Sequence, residues 1–197
     1  LRIKDKFTVA MVASMGESKD QTTFLKAAAK ILKITDDIQF YLVGDGPKKP
    51  EYLALVSSLG LEKDVFFTGE VNNVEEYLKA SNLSVLTSAS WHGEGIPNVV
   101  MESMVCGTPV IATDNGGTKE ILKDNVNGYI INNGDYKVLA QRILYLKKNN
   151  NIVKDFVANG KKLVQTKFSQ ARMIQSFQNI LEDSYNGKTK LQVNDNI

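Results

Sequence analysis

The sequence is short of the side chains that build disulfides, zinc sites and catalytic dyads. Its 197 residues include one cysteine, Cys106, and one histidine, His92. A lone cysteine excludes an internal disulfide and fits a reducing compartment. One cysteine and one histidine also exclude a zinc site of clustered ligands, and no other residue signals a Ser–His or Cys–His pair. We therefore interpret His92 as a loop residue near a pocket and not as a general base.

Long apolar runs and a charge excess of one sign are absent as well. No run approaches the length of a transmembrane helix, and residues 1–5 lack the hydrophobic segment of a signal peptide. The formal net charge is only +2, and aromatic residues do not interleave with the scattered lysines, so nothing predicts binding to nucleic acid. With 43% hydrophobic and 23% charged residues, the composition is that of a soluble globular protein.

The start of the chain leaves two origins open, and its composition predicts one domain. The sequence starts at Leu1 without an initiator methionine, so it is expected to be either a processed chain or an excised piece. We expect one domain over residues 1–186, because no linker rich in proline, glycine or serine divides it. The polar residues 187–197 are expected to form a disordered tail.

Apolar runs typical of buried strands alternate with amphipathic segments typical of helices. The predicted strands cover residues 7–13, 38–43, 65–68, 83–86, 110–112 and 128–131. The predicted helices cover residues 20–33 (with a cap at Ser18 or Asp20), 51–59, 75–80, 97–106, 136–148, 151–167 and 170–185. This alternation predicts an α/β fold: a Rossmann-like, doubly wound parallel sheet of about six strands with helices on both faces. The loops after the strands should then meet at the carboxyl edge of the sheet, where ligands bind.

The stretch between the fourth and fifth strands predicts an anion site. Pro97 suits the first helical position, and Gly107 suits the end of that helix. The backbone N–H groups of Asn98, Val99 and Val100 then have no partner inside the helix and lie at the positive end of its dipole. A phosphate group would be stabilised there.

Two carboxylates flank this predicted anion site. Glu94 lies in the loop before the helix, and Glu102 lies inside it, where side chains lean back toward the N-terminus. We therefore expect both carboxylates to border one pocket. A ligand with phosphates in its middle and hydroxyls at both ends fits such a pocket, and a nucleotide-sugar has that chemistry.

The segment from Glu94 to Thr113 resembles the E-x7-E segment of retaining glycosyltransferases of the GT-B fold, in the family 4 or group 1 class. The likeness covers nearly the whole chain but only the C-terminal, donor-binding half of the family's architecture. The resemblance implies that Glu102 holds the ribose hydroxyls and that Glu94 faces the donor sugar as a catalytic residue. It implies further donor contacts at Gly95, Ile96, Pro97, Asn98, Val99, Gly44, Gly46, Val71 and Gly16.

Three other loops carry weaker parts of the resemblance, and each can also be read as an ordinary turn. Gly44-Asp45-Gly46-Pro47 is a tight turn whose glycines permit close approach of a ligand. Thr68 to Asn72 resembles the family segment in which backbone near Val71 meets the nucleotide base. Asp114 to Glu120 resembles the family's D-x-G-G-x-x-E segment, whose glycines let the backbone approach the donor.

The loop after the first strand departs from the family pattern. Lys19 stands in the position of the family's lysine, which implies a catalytic role at the leaving diphosphate. The positions that fit the family's arginine hold Ser14 or Gly16. The second positive charge must then come from the missing half or from another lysine, or the activity is weak.

The resemblance implies transfer of a hexose-type sugar from a UDP- or GDP-linked donor to a glycan or lipid-linked acceptor, such as a bacterial surface polysaccharide. No metal and no cofactor other than the donor are expected. The acceptor site would lie mostly on the absent N-terminal domain, so this chain alone should bind donor without transfer. We expect a cytoplasmic enzyme, and peripheral association with the inner face of the membrane stays open. The alternatives are a GT-B nucleotide-sugar epimerase or phosphorylase, and a non-catalytic nucleotide-binding module.

Overall fold

The computed structural model describes residues 6–91, 93, 95–168 and 178–179. Contacts divide the chain into two units, residues 1–161 and 162–197. The first unit carries the sheet. In the second, the described residues 162–167 and 178–179 are helical.

Strands and helices alternate along the described part of the chain. The strands are β1 Phe7–Val12, β2 Ile38–Val43, β3 Val65–Gly69, β4 Leu83–Leu86, β5 Val110–Thr113 and β6 Tyr129–Ile131. The helices are α1 Gln21–Leu32, α2 Lys49–Leu59, α3 Val74–Ala80, α4 Asn98–Cys106, α5 Thr118–Ile121, α6 Tyr136–Lys148 and α7 Asn150–Lys167. None of these helices combines the length and the hydrophobicity that a membrane span requires.

The six described strands form one parallel sheet in the order β3-β2-β1-β4-β5-β6. β1 pairs with β2 along its whole length, from Phe7 opposite Ile38 to Val12 opposite Val43. On its other side β1 pairs with β4, where Val9 lies opposite Leu83. The strand order therefore reverses between β1 and β4, and ligands of open α/β sheets bind beyond the carboxyl ends at such a point.

Both faces of the sheet are buried, because successive side chains of a strand point to opposite sides. Val9 and Met11 of β1 belong to a large core cluster that includes Phe24 of α1, and all three are fully buried. Ala10 belongs to a separate cluster with Tyr41. α1 packs against α2 and α6, and α3 packs against α4. The predicted doubly wound parallel sheet is confirmed.

Helices α1 and α6 each begin with an aspartate N-cap at the carboxyl edge of the sheet. Asp20 accepts hydrogen bonds from the backbone N–H of Thr23 at 3.0 Å and from its hydroxyl at 2.5 Å. Asp135 accepts from the backbone N–H of Val138 at 2.9 Å. Each cap satisfies a donor that the first turn of a helix leaves without a partner, and each fixes where the preceding loop ends.

Most predicted boundaries agree with the structure within one residue, but the predicted start of α2 and the assignment of Pro97 as a helical residue are wrong. α2 begins at Lys49, two residues before the predicted Glu51, because Pro50 suits the first turn. Pro97 is the N-cap of α4 and not its first helical residue, since its ψ of 110° is extended. Of the predicted helix 170–185 only residues 178–179 are described, and the predicted tail 187–197 lies outside the described residues, so the predicted single domain stays a prediction.

Candidate functional site

A cavity of about 540 Å³ lies at the carboxyl edge of the sheet, and we call it the edge cavity. It is lined by Val12, Ala13, Ser14, Val43, Gly44, Asp45, Gly46, Glu70, Val71 and Val74. These residues come from the loops and strand ends of β1, β2 and β3, as expected for parallel strands. The structure thus brings together Gly44, Gly46 and Val71, three of the predicted donor contacts, whereas Gly16 is not among the lining residues.

The turn after β2 (residues 44–47, the β2 turn) needs glycines because the loop after β1 (residues 13–20, the β1 loop) packs closely against it. Gly44 has a φ of +134°, and a Cβ there would lie 2.3 Å from the carbonyl oxygen of Ala13. A Cβ at Gly46 would lie 2.5 Å from the carbonyl oxygen of Met15. Met15 also donates its backbone N–H to the carbonyl of Asp45 at 2.8 Å. The β1 loop and the β2 turn therefore form one rigid wall of the edge cavity, and contact of these glycines with a ligand stays a prediction.

Asp45 is held at the rim of this wall by two donors. Its carboxylate pairs with Lys49 at 2.6 Å, one helical turn away, and accepts the backbone N–H of Gly46 at 2.8 Å. These hydrogen bonds, that of Lys49 first, hold the pKa of Asp45 below its ordinary value of 3.8.

We expect NMR titration to find the pKa of the Asp45 carboxyl below 3.8, and to find it raised toward that value in Lys49→Ala. Because the folded-state pKa is depressed, the stabilisation by Lys49 is present above the ordinary pKa and is lost as the pH falls through the lowered value. Lys48→Ala is the matched control, since Lys48 pairs with Glu17 instead. An Asp45 that titrates at 3.8 or above in the wild-type chain would contradict the assignment.

A second cavity, of about 280 Å³, also lies at the carboxyl edge, and we call it the side cleft. It is lined by Glu17, Lys19, Asp20, Thr22, Lys48, Tyr52, Ala89, Ser90, Trp91, Asn133 and Gly134. The backbone of Lys19 pairs with that of Ser88 in an isolated antiparallel bridge. The β1 loop therefore runs along the loop that follows β4, which we call the β4 loop. Lys48 pairs with Glu17 at 2.8 Å across the cleft lining. The structure therefore places Lys19 in a different cavity from Gly44, Gly46 and Val71.

Side chains from the end of β5 and from the loops after β5 and β6 hold the loop that follows β4, and no local sequence pattern marks them. Thr113 accepts the backbone N–H of Ser88 at 2.9 Å. Asn115 donates to the carbonyl of Ala89 at 2.9 Å, and Asn133 donates to the carbonyl of Ser88 at 2.9 Å. The β4 loop that enters the Glu94 segment is thus fixed from β5 and β6, through contacts that only the folded sheet creates.

Among the described residues, two of the three backbone donors predicted at the start of α4 have no acceptor. The backbone N–H of Val100 donates to the carbonyl of Pro97 at 3.0 Å, so the prediction that it is unpaired is wrong. The backbone N–H groups of Asn98 and Val99 have no acceptor among the described residues. They lie at the positive end of the helix dipole, which leaves two donors available to an anion.

Glu102 lies on the exposed side of α4, next to Ser103, which is buried against β4. The buried Ser103 hydroxyl lies 2.9 Å from that of Ser84 in β4 and donates to the carbonyl of Val99 at 2.7 Å. Glu102 is exposed and lines neither the edge cavity nor the side cleft. Glu94 and His92 lie outside the described residues, so the pocket predicted for Glu94 and Glu102 stays a prediction.

The loop after β5 touches the residues that lead into α4. A Cβ at Gly117 would lie 3.0 Å from the backbone of Gly95 and from the backbone N of Ile96. The glycine of this loop therefore serves a close approach of backbone to backbone. This contact fixes the position of the residues before α4 relative to the loop after β5.

A sequence model of the family described as glycosyl transferases group 1 matches residues 1–163. The chain belongs to this family. It is 32% identical over 168 residues to N-acetyl-alpha-D-glucosaminyl L-malate synthase of Bacillus anthracis, a match that covers 83% of this chain and 43% of that protein. This group 1 chain spans less than half the length of the curated relatives it matches.

Solved structures have the same fold as this chain. The C-terminal domain of the group 1 protein LpcC from Francisella tularensis superposes with a TM-score of 0.77 at 26% identity, over 86% of this chain and 89% of that domain. HepE of Anabaena in complex with UDP superposes with a TM-score of 0.84 at 24% identity, over 91% of this chain and 49% of that protein. The fold is therefore that of the C-terminal half of a GT-B glycosyltransferase.

Proposed function

We propose that this chain is the donor-binding half of a retaining glycosyltransferase that moves a hexose-type sugar from a UDP- or GDP-linked donor to a glycan or lipid-linked acceptor. The observation that carries the proposal is the meeting of the β1, β2 and β3 loops around the edge cavity in a group 1 fold. Such a cavity at the carboxyl edge suits a nucleoside. The relative from Bacillus anthracis is named for an N-acetylglucosaminyl product, and HepE was solved with UDP, which makes UDP the first nucleotide to test.

In this proposal the donor extends from the edge cavity toward α4. Backbone near Val71 meets the base, and Glu102 accepts hydrogen bonds from the ribose hydroxyls. The backbone N–H groups of Asn98 and Val99, which have no acceptor among the described residues, donate to phosphate oxygens. Glu94 faces the sugar, and Lys19 stabilises the leaving diphosphate, whose negative charge grows as the sugar departs.

Calorimetric titration with UDP, GDP and ADP tests the proposal on this chain. We expect selective binding of one nucleotide, and roughly ten- to hundredfold weaker binding by Glu102→Ala, because a carboxylate that accepts hydrogen bonds from a ribose contributes more than a neutral acceptor.

Glu51→Ala is the matched control for this titration. Glu51 is exposed in the first turn of α2 and lines neither cavity, so its removal should leave the affinity unchanged. Equal affinities of wild type and Glu102→Ala would contradict the assigned role of Glu102. The absence of binding by all three nucleotides would contradict donor binding by this half.

A further inference from the structure

The side cleft contains groups that the proposed donor site does not use. Of the described donor residues only Lys19 lines it, and α4 contributes none of its lining. Lys48, Trp91 and Asn133 are therefore not among the residues assigned to the nucleotide in the proposed function. The cleft nevertheless lies at the carboxyl edge and shares Lys19 with the donor site, so a ligand there would lie beside the reacting groups.

Trp91 is the most exposed large apolar side chain that the structure describes, with 75% of its surface accessible. Exposing an indole ring to water is unfavourable, and surface tryptophans are commonly kept for binding. Its electron-rich face attracts the positive edges of C–H groups. The other residues of the cleft are mostly polar, so the occupant must combine an apolar face with a polar rim.

Three charged groups of the cleft, those of Glu17, Asp20 and Lys48, are already engaged, and this argues for a neutral occupant. Two lysines, Lys19 and Lys48, are balanced by Glu17 and Asp20, so the lining carries no net formal charge. Lys48 is held at 2.8 Å by Glu17, and Asp20 is engaged by Thr23. An anion would have to displace Glu17 from Lys48, whereas hydroxyl groups can donate to the carboxylate and accept from the ammonium together.

A sugar ring has this combination of one C–H face and a rim of hydroxyls. We propose that the side cleft binds a neutral sugar ring of the acceptor, with Trp91 against its C–H face and the Lys48–Glu17 pair at its hydroxyls. Asn133, held by its bond to Ser88, adds an amide at the edge. The inference rests on the proposed transferase function, and it places part of the acceptor site on the donor-binding half.

Saturation-transfer NMR on this chain tests the inference, with UDP present and methyl α-glycosides of glucose, galactose, mannose and N-acetylglucosamine as probes. We expect transfer to at least one glycoside, reduced about five- to tenfold in Trp91→Ala and largely restored in Trp91→Phe. Glu17→Gln should also reduce the transfer. Ile34→Ala is the matched control, since Ile34 is 66% exposed and lies outside the side cleft.

Three results would overturn the inference. The first is no transfer to any of the glycosides while UDP binds normally. The second is undiminished transfer in Trp91→Ala. The third is displacement of the bound glycoside by a UDP-sugar but not by UDP, because the cleft would then hold the donor's own sugar. Since UDP affinity is measured in the same samples and should be unchanged in Trp91→Ala, failure of this inference is distinguishable from failure of the donor site.

Discussion

Full-length protein with Lys19→Ala is expected to transfer sugar roughly 10²–10³-fold more slowly than wild type, with the loss mainly in kcat. The loss should appear in kcat because the charge on the leaving diphosphate is greatest in the transition state. No arginine accompanies Lys19 in the β1 loop, where Ser14 and Gly16 stand instead, so that loop has one cation to offer. The measurement is a steady-state transfer assay in which the donor concentration is varied, so that kcat and KM are obtained separately.

Lys30→Ala is the control for this effect. Lys30 is exposed on α1 and lines neither the edge cavity nor the side cleft. Its removal therefore lowers the net charge by as much as Lys19→Ala does but leaves the site unaltered. Lys19→Arg should retain more activity than Lys19→Ala because it keeps the positive charge. A Lys19→Ala enzyme with wild-type kcat would show that the diphosphate is stabilised by other groups.

Gly44→Ala is expected to lower the free energy of unfolding by roughly 2–5 kcal/mol, from backbone strain together with overpacking. The φ of +134° disfavours any residue with a Cβ, and the added carbon would lie 2.3 Å from the carbonyl oxygen of Ala13. Relief of that clash requires the β1 loop to move away from the β2 turn. The nucleotide affinity should fall as well, since both segments line the edge cavity. Denaturant unfolding gives the first quantity, and calorimetric titration gives the second.

Gly60→Ala separates the two causes in Gly44→Ala. Gly60 ends α2 with a φ of +67°, but a Cβ there would have no neighbour within 4 Å. Its substitution should therefore cost about 1 kcal/mol, from left-handed strain alone. Equal losses for both variants would show that the clash with Ala13 is relieved without cost and that the cavity wall is not rigid.

The sheet was predictable because its strands carry their signal locally. The runs from Ile38 to Val43 and from Leu83 to Leu86 are apolar at all but one position each, and the structure has the same bounds. Helix starts were less certain, because a proline is equally compatible with an N-cap and with the first turn. For this reason the start of α4 is predicted at Pro97, one residue before its first helical residue, Asn98. Its backbone φ of −74° suits either position, and only its ψ distinguishes them.

The candidate site was predictable only as far as its loops. Their place at the carboxyl edge follows from the parallel topology. The resemblance to the group 1 family predicted which of their residues contact the donor, and that stays a prediction. The division of these residues between two cavities was not predictable, because it depends on contacts between loops that are distant in sequence. Asn133 with Ser88 and Lys48 with Glu17 are such contacts. Sequence periodicity reports which face of an element is buried and contains no information about these pairs.

The central place of β1 also sets the order in which this half can assemble on the ribosome. Its first partner, β2, follows it closely, but its other partner, β4, is made only after α2, β3 and α3. Until Leu83–Leu86 has emerged, the second side of β1 keeps its backbone N–H and C=O groups unpaired, and such an edge recruits strands from other chains. The second side of β1 is therefore covered only when β4 pairs with it, after every residue that lines the edge cavity has been synthesised.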